Sequence, residues 1–276
     1  VNHVKVGPSP KWLQNALHAA DIKSINNVVD ISNYVMVETG HALQYYDLKK
    51  LPHHEITVVD DVEMTMQALD GQEYEIRRGD LLITTGGVPT GIAGILGGEE
   101  SKIDENTTSI FIEAADFNAV SIRNTARRLG LNTEAASRFI KGVEPLAAIK
   151  AVDRSVQLLS SLAEARDFEE TLVVGELRNP ERTVTETLSH CNQLLGTSFT
   201  MEQVVGVLND LNLNPQQQGD QITCTIPSYR TDLNIREDLD EEIIRLLGYE
   251  GLKTTLPQMK ATVGQLTDRQ QLRRTL

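Results

Sequence analysis

Between residues 56 and 96 the apolar residues come in runs too short for a helix, and each run stops at a turn pair. ITVV, LLIT and GIAGIL are punctuated by Asp70-Gly71, Gly79-Asp80 and Gly86-Gly87, which predicts strands joined by tight turns. A sheet of this kind must cover one face with other elements, and the flanks supply them. Trp12, Leu13, Ala16, Leu17 and Ala20 recur at helical spacing, and a second helix is expected from Ser24, as N-cap, to Gly40. Downstream, SIFIEAA (109–115) reads as a strand and SIRNTARRLG as a helix stopping at Gly130. Ile149, Val152, Val156, Leu159 and Leu162 then mark one long amphipathic helix after Pro145. The expectation is an α+β fold: a mixed-sheet domain with flanking helices over residues 1–170.

A polar stretch, RNPERT (178–183), precedes a smaller unit expected over residues 171–253, an α/β domain of winged-helix-like type. Thr200 and Gln203 form a capping-box pattern before Val204, Val205, Leu208 and Leu211. QITCTI alternates polar and apolar until Pro227, residues 216–218 read as a loop, and a third helix carries Leu239, Ile243, Leu246 and Leu247.

The charge balance, 26 Lys+Arg against 39 Asp+Glu for a net −13, makes the whole surface repel polyanions, so any nucleic acid must meet a local patch. Cys191 and Cys224 lack a CxxC partner, which fits reduced thiols and a cytoplasmic location better than a disulfide framework or a zinc site. The N-terminus has no signal-peptide pattern and no run approaches 18 apolar residues, so neither export nor a membrane is expected. A start at Val1 without methionine reads as a piece of a longer chain.

Four features carry chemistry. GIAGILGGEE (91–100) packs four glycines among small apolar residues; without GxGxxG or GK[ST] it reads as a tight turn between strands or as a close backbone approach to a ligand. Glu113 stands inside an apolar strand, where a carboxylate must be paired, face an open side, or contact a ligand. Residues 121–142 carry Arg123, Arg127, Arg128, Arg138 and Lys141 against Glu134, a net +4 in an acidic chain; this is either a solvated helix face or a site for nucleic-acid phosphates. Asp238, Glu241 and Glu242 recur at helical spacing with Asp232 upstream, as a helix-dipole arrangement, or as ligands for a hard cation such as Mg²⁺. None of the six histidines shows metal spacing, and no nucleophile motif is present.

INNVVDISNYVMVETGHALQYYDL, GIAGILGGEES, IFIEAADF, RRLGLNTEAASRFIKGVEP and IPSYRTDLNIREDLDEEIIRLLGY together resemble the β subunits of bacterial phenylalanyl-tRNA synthetases, in order and over nearly the whole chain. The resemblance implies an editing module followed by a smaller domain, with residues 254–276 leading into an absent catalytic-like module. It implies partners: an α subunit that holds the synthetic site and uses ATP, tRNA(Phe), and an α2β2 assembly. For this segment it implies hydrolysis of mischarged tyrosyl-tRNA(Phe). A hydrophobic synthetic pocket rejects an added hydroxyl poorly, and a second site that hydrogen-bonds it selects for it.

Carried over by motif, Glu113 and Gln44 are the implied catalytic pair, with Glu113 and the backbone at Gly97 gripping the tyrosine hydroxyl. Ala135 leaves room for the ring, Thr133 lines the same pocket, and Ser32 and Asn33 match a Thr-Asn pair near the substrate amine and carbonyl. From the basic patch itself, Arg127, Arg128 and Arg138 are the candidate nucleic-acid contacts. Asp232, Asp238, Glu241 and Glu242 fall on positions for a Mg²⁺ shared with the α subunit. One departure matters: the family's GQPMHAFD reads GHALQYYD here, so Gln44 stands where a histidine lines the pocket. Glutamine exchanges hydrogen bonds but does not titrate near neutrality. This departure favours a rival reading, an editing-inactive segment for tRNA docking and subunit assembly.

Overall fold

The structure, a computed structural model, describes residues 1–175, 182–252 and 264–276. Its backbone divides into one unit of residues 1–182 with 226–234 and another of residues 183–225 with 235–276. Most of RNPERT, and residues 253–263 of the expected lead-in, lie outside the described residues.

In the first unit, helix α1 (Lys11–Ala19) buries Leu13 and Leu17, and α2 (Asn27–Thr39) buries Val28, Ile31 and Val35. Ser24 does not cap α2 as expected. Asn26 does, its side chain accepting from Val29 N at 2.9 Å, because the Ser24 hydroxyl is drawn instead to the buried carboxylate of Asp30. That carboxylate also accepts from the Ser9 hydroxyl and from Ile25 N. The helix ends at Gly40, left-handed at φ +76°, a conformation open to glycine without steric cost.

Strand β1 (Gln44–Asp47) follows, then β2 (Thr57–Val59), β3 (Met64–Gln67), β4 (Glu73–Ile76), β5 (Leu82–Thr85), β6 (Val88–Ile92), β7 (Leu96–Gly97) and β8 (Ile110–Glu113). β2, β5, β6 and β7 form one antiparallel sheet in that order, β3 and β4 form a hairpin, and β1 pairs with β8. Gly86 and Gly87, both at positive φ, make the two-residue loop between Thr85 and Val88, as primed hairpin turns require. GIAGIL is not one strand. It ends β6, reverses at Gly94 (φ +65°) and begins β7.

The β1–β8 ribbon separates two apolar clusters. Tyr45, Ile110 and Ile112 turn toward α1, α2 and the long helix α5 (Ala147–Leu162), where Tyr45 and Ser155 hydroxyls meet at 2.5 Å. Tyr46 and Phe111 turn the other way, toward Ile83 of β5 and Ala93 just past the end of β6. Between β8 and α5 lie α3 (Ala119–Leu129), closed by Gly130, and α4 (Glu134–Lys141).

The second unit runs β9 (Arg182–Thr187), α6 (Leu188–Leu195), α7 (Met201–Asp210), β10 (Gln216–Gln218), β11 (Gln221–Ile226), α8 (Arg236–Leu247) and α9 (Asp268–Thr275). Its sheet order is β10-β11-β9. Residues 216–218, expected as a loop, form the outer strand, because Gly219 at φ +62° turns them back onto β11. Thr200 and Gln203 close the expected capping box on α7. Leu239 and Ile243 are buried as expected, but Leu246 is exposed and Asp240 and Glu242 take inward positions on α8. Cys191 and Cys224 are free and buried. Among the described residues no helix is long and apolar enough to cross a membrane.

Candidate functional site

Side chains two apart on a strand share a face. In β1 that places Gln44 and Tyr46 together, and the register sets Gln44 opposite Glu113 and Tyr46 opposite Phe111 on β8. The Tyr46 hydroxyl reaches diagonally to donate to Glu113 Oε2 at 2.6 Å. Against this face lies the glycine-rich turn, and the two enclose a cavity of about 40 Å³ lined by Gln44, Tyr46, Gly91, Gly94, Gly97, Glu113, Ala135 and Phe139 among others. At about 10–15 Å³ per water, that is room for about three waters.

The glycines are what let the walls close. A methyl group at Gly94 would stand 2.9 Å from Phe139 and 3.0 Å from Phe117, whose rings meet edge to face at 5.2 Å. One at Gly97 would stand 2.8 Å from the Gln44 amide nitrogen, so this amide lies directly over the turn. GIAGILGGEE is thus a tight turn between packed strands whose bare backbone lines the cavity.

Burial pushes the Glu113 carboxyl up to about 7, partly offset by the hydrogen bond from Tyr46. Burial, then the Glu113 charge, raises the Tyr46 phenol well above its ordinary value, so Tyr46 is a fixed donor. Glu113 is thus a carboxyl that changes charge near neutrality inside a cavity, an arrangement typical of functional positions. Because the Tyr46 hydroxyl stabilises the ionised form, Tyr46→Phe is expected to move the Glu113 midpoint above about 7. Titration of the carboxyl carbon by NMR reads this directly; an unmoved midpoint would show that the hydrogen bond does not set the charge.

Tyr46 is the site residue that sequence reasoning missed, although its spacing of two from Gln44 was the available signal. Of the expected residues, Gln44, Gly97, Glu113 and Ala135 are brought together at the cavity. Thr133, Ser32 and Asn33 are not among its lining residues. Thr133 caps α4, its hydroxyl donating to Ile95 O at 2.8 Å while accepting from Ala136 N; Ser32 donates to Leu43 O at 2.8 Å. His41 does not replace the absent histidine. It is fully buried with its edge toward Phe139, neither ring nitrogen has a hydrogen-bond partner, and burial holds its pKa low.

Two of the five cations of the expected basic patch are paired within the chain, while Arg123 and Lys141 are exposed without an ion pair among the described residues. Arg128 pairs with Asp80 and donates to Glu75 O, and Arg138 pairs with Glu134 at 2.7 Å. Arg127 is exposed, with no ion pair among the described residues.

The acidic positions are also engaged within the chain. Asp232, in the first unit, is held below the ordinary carboxylate range by Arg230, whose guanidinium donates to it at 2.7 and 3.0 Å. Asp238 accepts from Ile235 N at 2.9 Å, Glu242 is buried against Arg245 at 2.6 Å, and Glu241 is exposed. Glu242 therefore does not share an outward face with the others, since it is needed to pair Arg245 at the edge of the core. Among the described residues, only Glu186, His190 and Asp240 bring three ligand-type atoms within 4.8 Å of one another. Beside them the Cys191 thiol is pushed up by burial and by Asp240, yet it does not meet Asp240 in hydrogen-bonding geometry.

Comparison with known proteins adds the family context. The B3/4 domain family matches residues 1–164, and the tRNA synthetase B5 domain family matches residues 184–249. A phenylalanine–tRNA ligase β subunit of Staphylococcus epidermidis is 38% identical over 278 residues, covering 100% of this chain and 35% of its own length. That of Halalkalibacterium halodurans is 39% identical over 277 residues, covering 100% and 34%. The chain thus spans about a third of the length of these relatives. A crystal structure of an N-terminal fragment of the phenylalanyl-tRNA synthetase β subunit from Pyrococcus horikoshii aligns with a TM-score of 0.38 at 10% identity, over 80% of this chain and 65% of that one.

Proposed function

The chain belongs to the B3/4 domain family, and from that premise we propose that it is the proofreading part of a phenylalanine–tRNA ligase β subunit, hydrolysing tyrosyl-tRNA(Phe). The observation that carries this reading is Glu113, a carboxyl poised at about 7 in a cavity it shares with Gln44, Ala135 and bare glycine backbone. Ionised, it accepts from Tyr46 and retains acceptor capacity for the hydroxyl that distinguishes a tyrosyl from a phenylalanyl ester. The Gly97 carbonyl already accepts from Leu69 N, so recognition of the hydroxyl falls mainly to Glu113. Ala135 provides space for the ring. The cavity is smaller than an aromatic side chain, and the Gln44 amide, at the end of a flexible chain over Gly97, is the wall that must swing aside.

In the absence of a nucleophile, a water attacks the ester carbonyl. The new bond joins water oxygen to the acyl carbon, the ester carbon–oxygen bond breaks, and the protons pass to the terminal ribose oxygen and to solvent. The chain contributes mainly orientation, which suffices for large accelerations when reacting atoms are held in contact. Ser32, whose hydroxyl donates to Leu43 O, and Asn33 are assigned to the ester end, and Arg127, with Arg123 and Lys141 beside it in the sequence patch, is left to meet tRNA phosphate. The complete ligase supplies the α subunit, ATP and Mg²⁺ for synthesis.

Deacylation of tyrosyl-tRNA(Phe) by the assembled ligase tests this reading. Wild type is expected to release tyrosine well above the uncatalysed rate, and Gln44→His to stay within about threefold of it, since orientation rather than proton transfer is asked of residue 44. A second reading, an editing-inactive segment for tRNA docking and subunit assembly, is favoured by Gln44 itself, which crowds the cavity. A wild-type rate equal to background would establish it, and rescue by Gln44→His would name the residue responsible.

A further inference from the structure

The second unit buries charge for which proofreading has no use. Glu186, on β9, is 2% exposed and Asp240, on α8, is 1% exposed. His190, on α6, lies between them, with its Nδ1 3.1 Å from Glu186 Oε1 and 3.7 Å from Asp240 Oδ2. Glu186 is well supplied, since it also accepts from Thr187 N. Asp240 is not: neither oxygen receives a hydrogen bond. A carboxyl removed from both water and donors must either stay neutral or, when ionised, be compensated by a charge or a metal. Even a protonated His190 would leave one excess negative charge among the three, whereas a divalent cation with neutral imidazole balances both carboxylates.

We propose that Glu186, His190 and Asp240 bind a divalent cation of the zinc class, separate from the acidic positions 232, 238, 241 and 242. With metal–ligand bonds of about 2.0–2.2 Å in tetrahedral array, neighbouring ligand atoms stand about 3.4 Å apart. The two observed separations bracket that value. The donor set selects the metal: an imidazole with two carboxylates suits zinc and its neighbours, while Mg²⁺ prefers six oxygens and its own waters. His190 is the partly exposed member of the three, so the remaining coordination position opens to solvent on its side.

Zinc titration of the full 276-residue chain by calorimetry, with Co²⁺ absorption as the spectroscopic probe, decides the matter. The expected result is one Zn²⁺ per chain, a Co²⁺ d–d band, and loss of about tenfold or more in affinity in His190→Gln, Asp240→Asn and Glu186→Gln. Circular dichroism of each variant confirms its fold, and His18→Gln, an exposed histidine on α1, is expected to bind as wild type. Should Asp240→Asn fail to fold, the His190 and Glu186 variants carry the test. Unchanged Zn²⁺ affinity in a folded His190→Gln chain would overturn the site, as would Mg²⁺ displacing Zn²⁺ at equal concentration.

Discussion

Glu113→Ala in the assembled ligase is expected to cut release of tyrosine from tyrosyl-tRNA(Phe) by about 100-fold, with phenylalanine charging unchanged. The size follows from what the carboxyl does. A site built to bond a hydroxyl loses much of its discrimination when that partner goes, because the substrate hydroxyl then enters a cavity with no charged acceptor for it. Tyr46 is a poor substitute, since its phenol is held protonated and a neutral hydroxyl oxygen is a weaker acceptor than a carboxylate. Glu113→Gln separates charge from shape: it preserves volume and an acceptor oxygen but not the ionised acceptor, and should fall between wild type and Glu113→Ala.

The same carboxyl gives a pH dependence with a definite sign. With its midpoint at about 7, Glu113 is the stronger acceptor above that pH, so preference for tyrosyl over phenylalanyl ester should rise between about pH 6 and 8 in wild type and stay flat in Glu113→Gln. Stability runs the other way. A pKa raised by burial favours the fold below its unfolded value of 4.5, and that contribution is lost as pH rises through about 7. A preference that does not change with pH in wild type would remove Glu113 from hydroxyl recognition.

Legibility in the sequence followed the range of the interactions. The helices and the Gly86-Gly87 hairpin were readable because propensity, periodicity and turn chemistry act within a few residues. Glu113 was conspicuous as a charge within an apolar strand. Its apposition to Gln44 came through the family resemblance alone, since β1 and β8 are far apart in sequence and their register is set by the clusters on either side of the ribbon. Tyr46 was hidden for the same reason: a tyrosine on a strand reads as core until the partner strand supplies a carboxylate. Ser24 failed as a cap because Asp30, six residues on, competes for its hydroxyl. The inward turn of Glu242 on α8 escaped the helical pattern, which grouped it with Asp238 and Glu241, and Asp240 drew no reading at all; buried acids go unseen by a rule that equates charge with solvent.

Gly98→Ala should destabilise the first unit by about 3 kcal/mol, whereas Gly97→Ala, one residue away, should cost about 1 kcal/mol. Backbone conformation does not distinguish them, for Gly98 sits at φ −86°, ψ 151°, which alanine adopts freely. Space does. An added methyl at Gly98 would stand 2.7 Å from Thr90 O and 3.0 Å from Thr90 C, main-chain atoms of a strand that is itself bonded to Gly98 N at 2.7 Å and to the Ser101 hydroxyl. Relief requires moving β6, which is paired on both sides. At Gly97 the obstructing atoms are the ends of Gln44 and Leu69, which can rotate away. Urea unfolding followed by Trp12, the sole tryptophan and a member of the first unit, reads both values. Activity should reverse the order of damage at matched folding, because the Gly97 methyl drives the Gln44 amide into the cavity while Gly98 lies outside its lining. Equal stabilities for the two variants would show that β6 yields, and that the glycine-rich turn is not the rigid wall on which hydroxyl recognition depends.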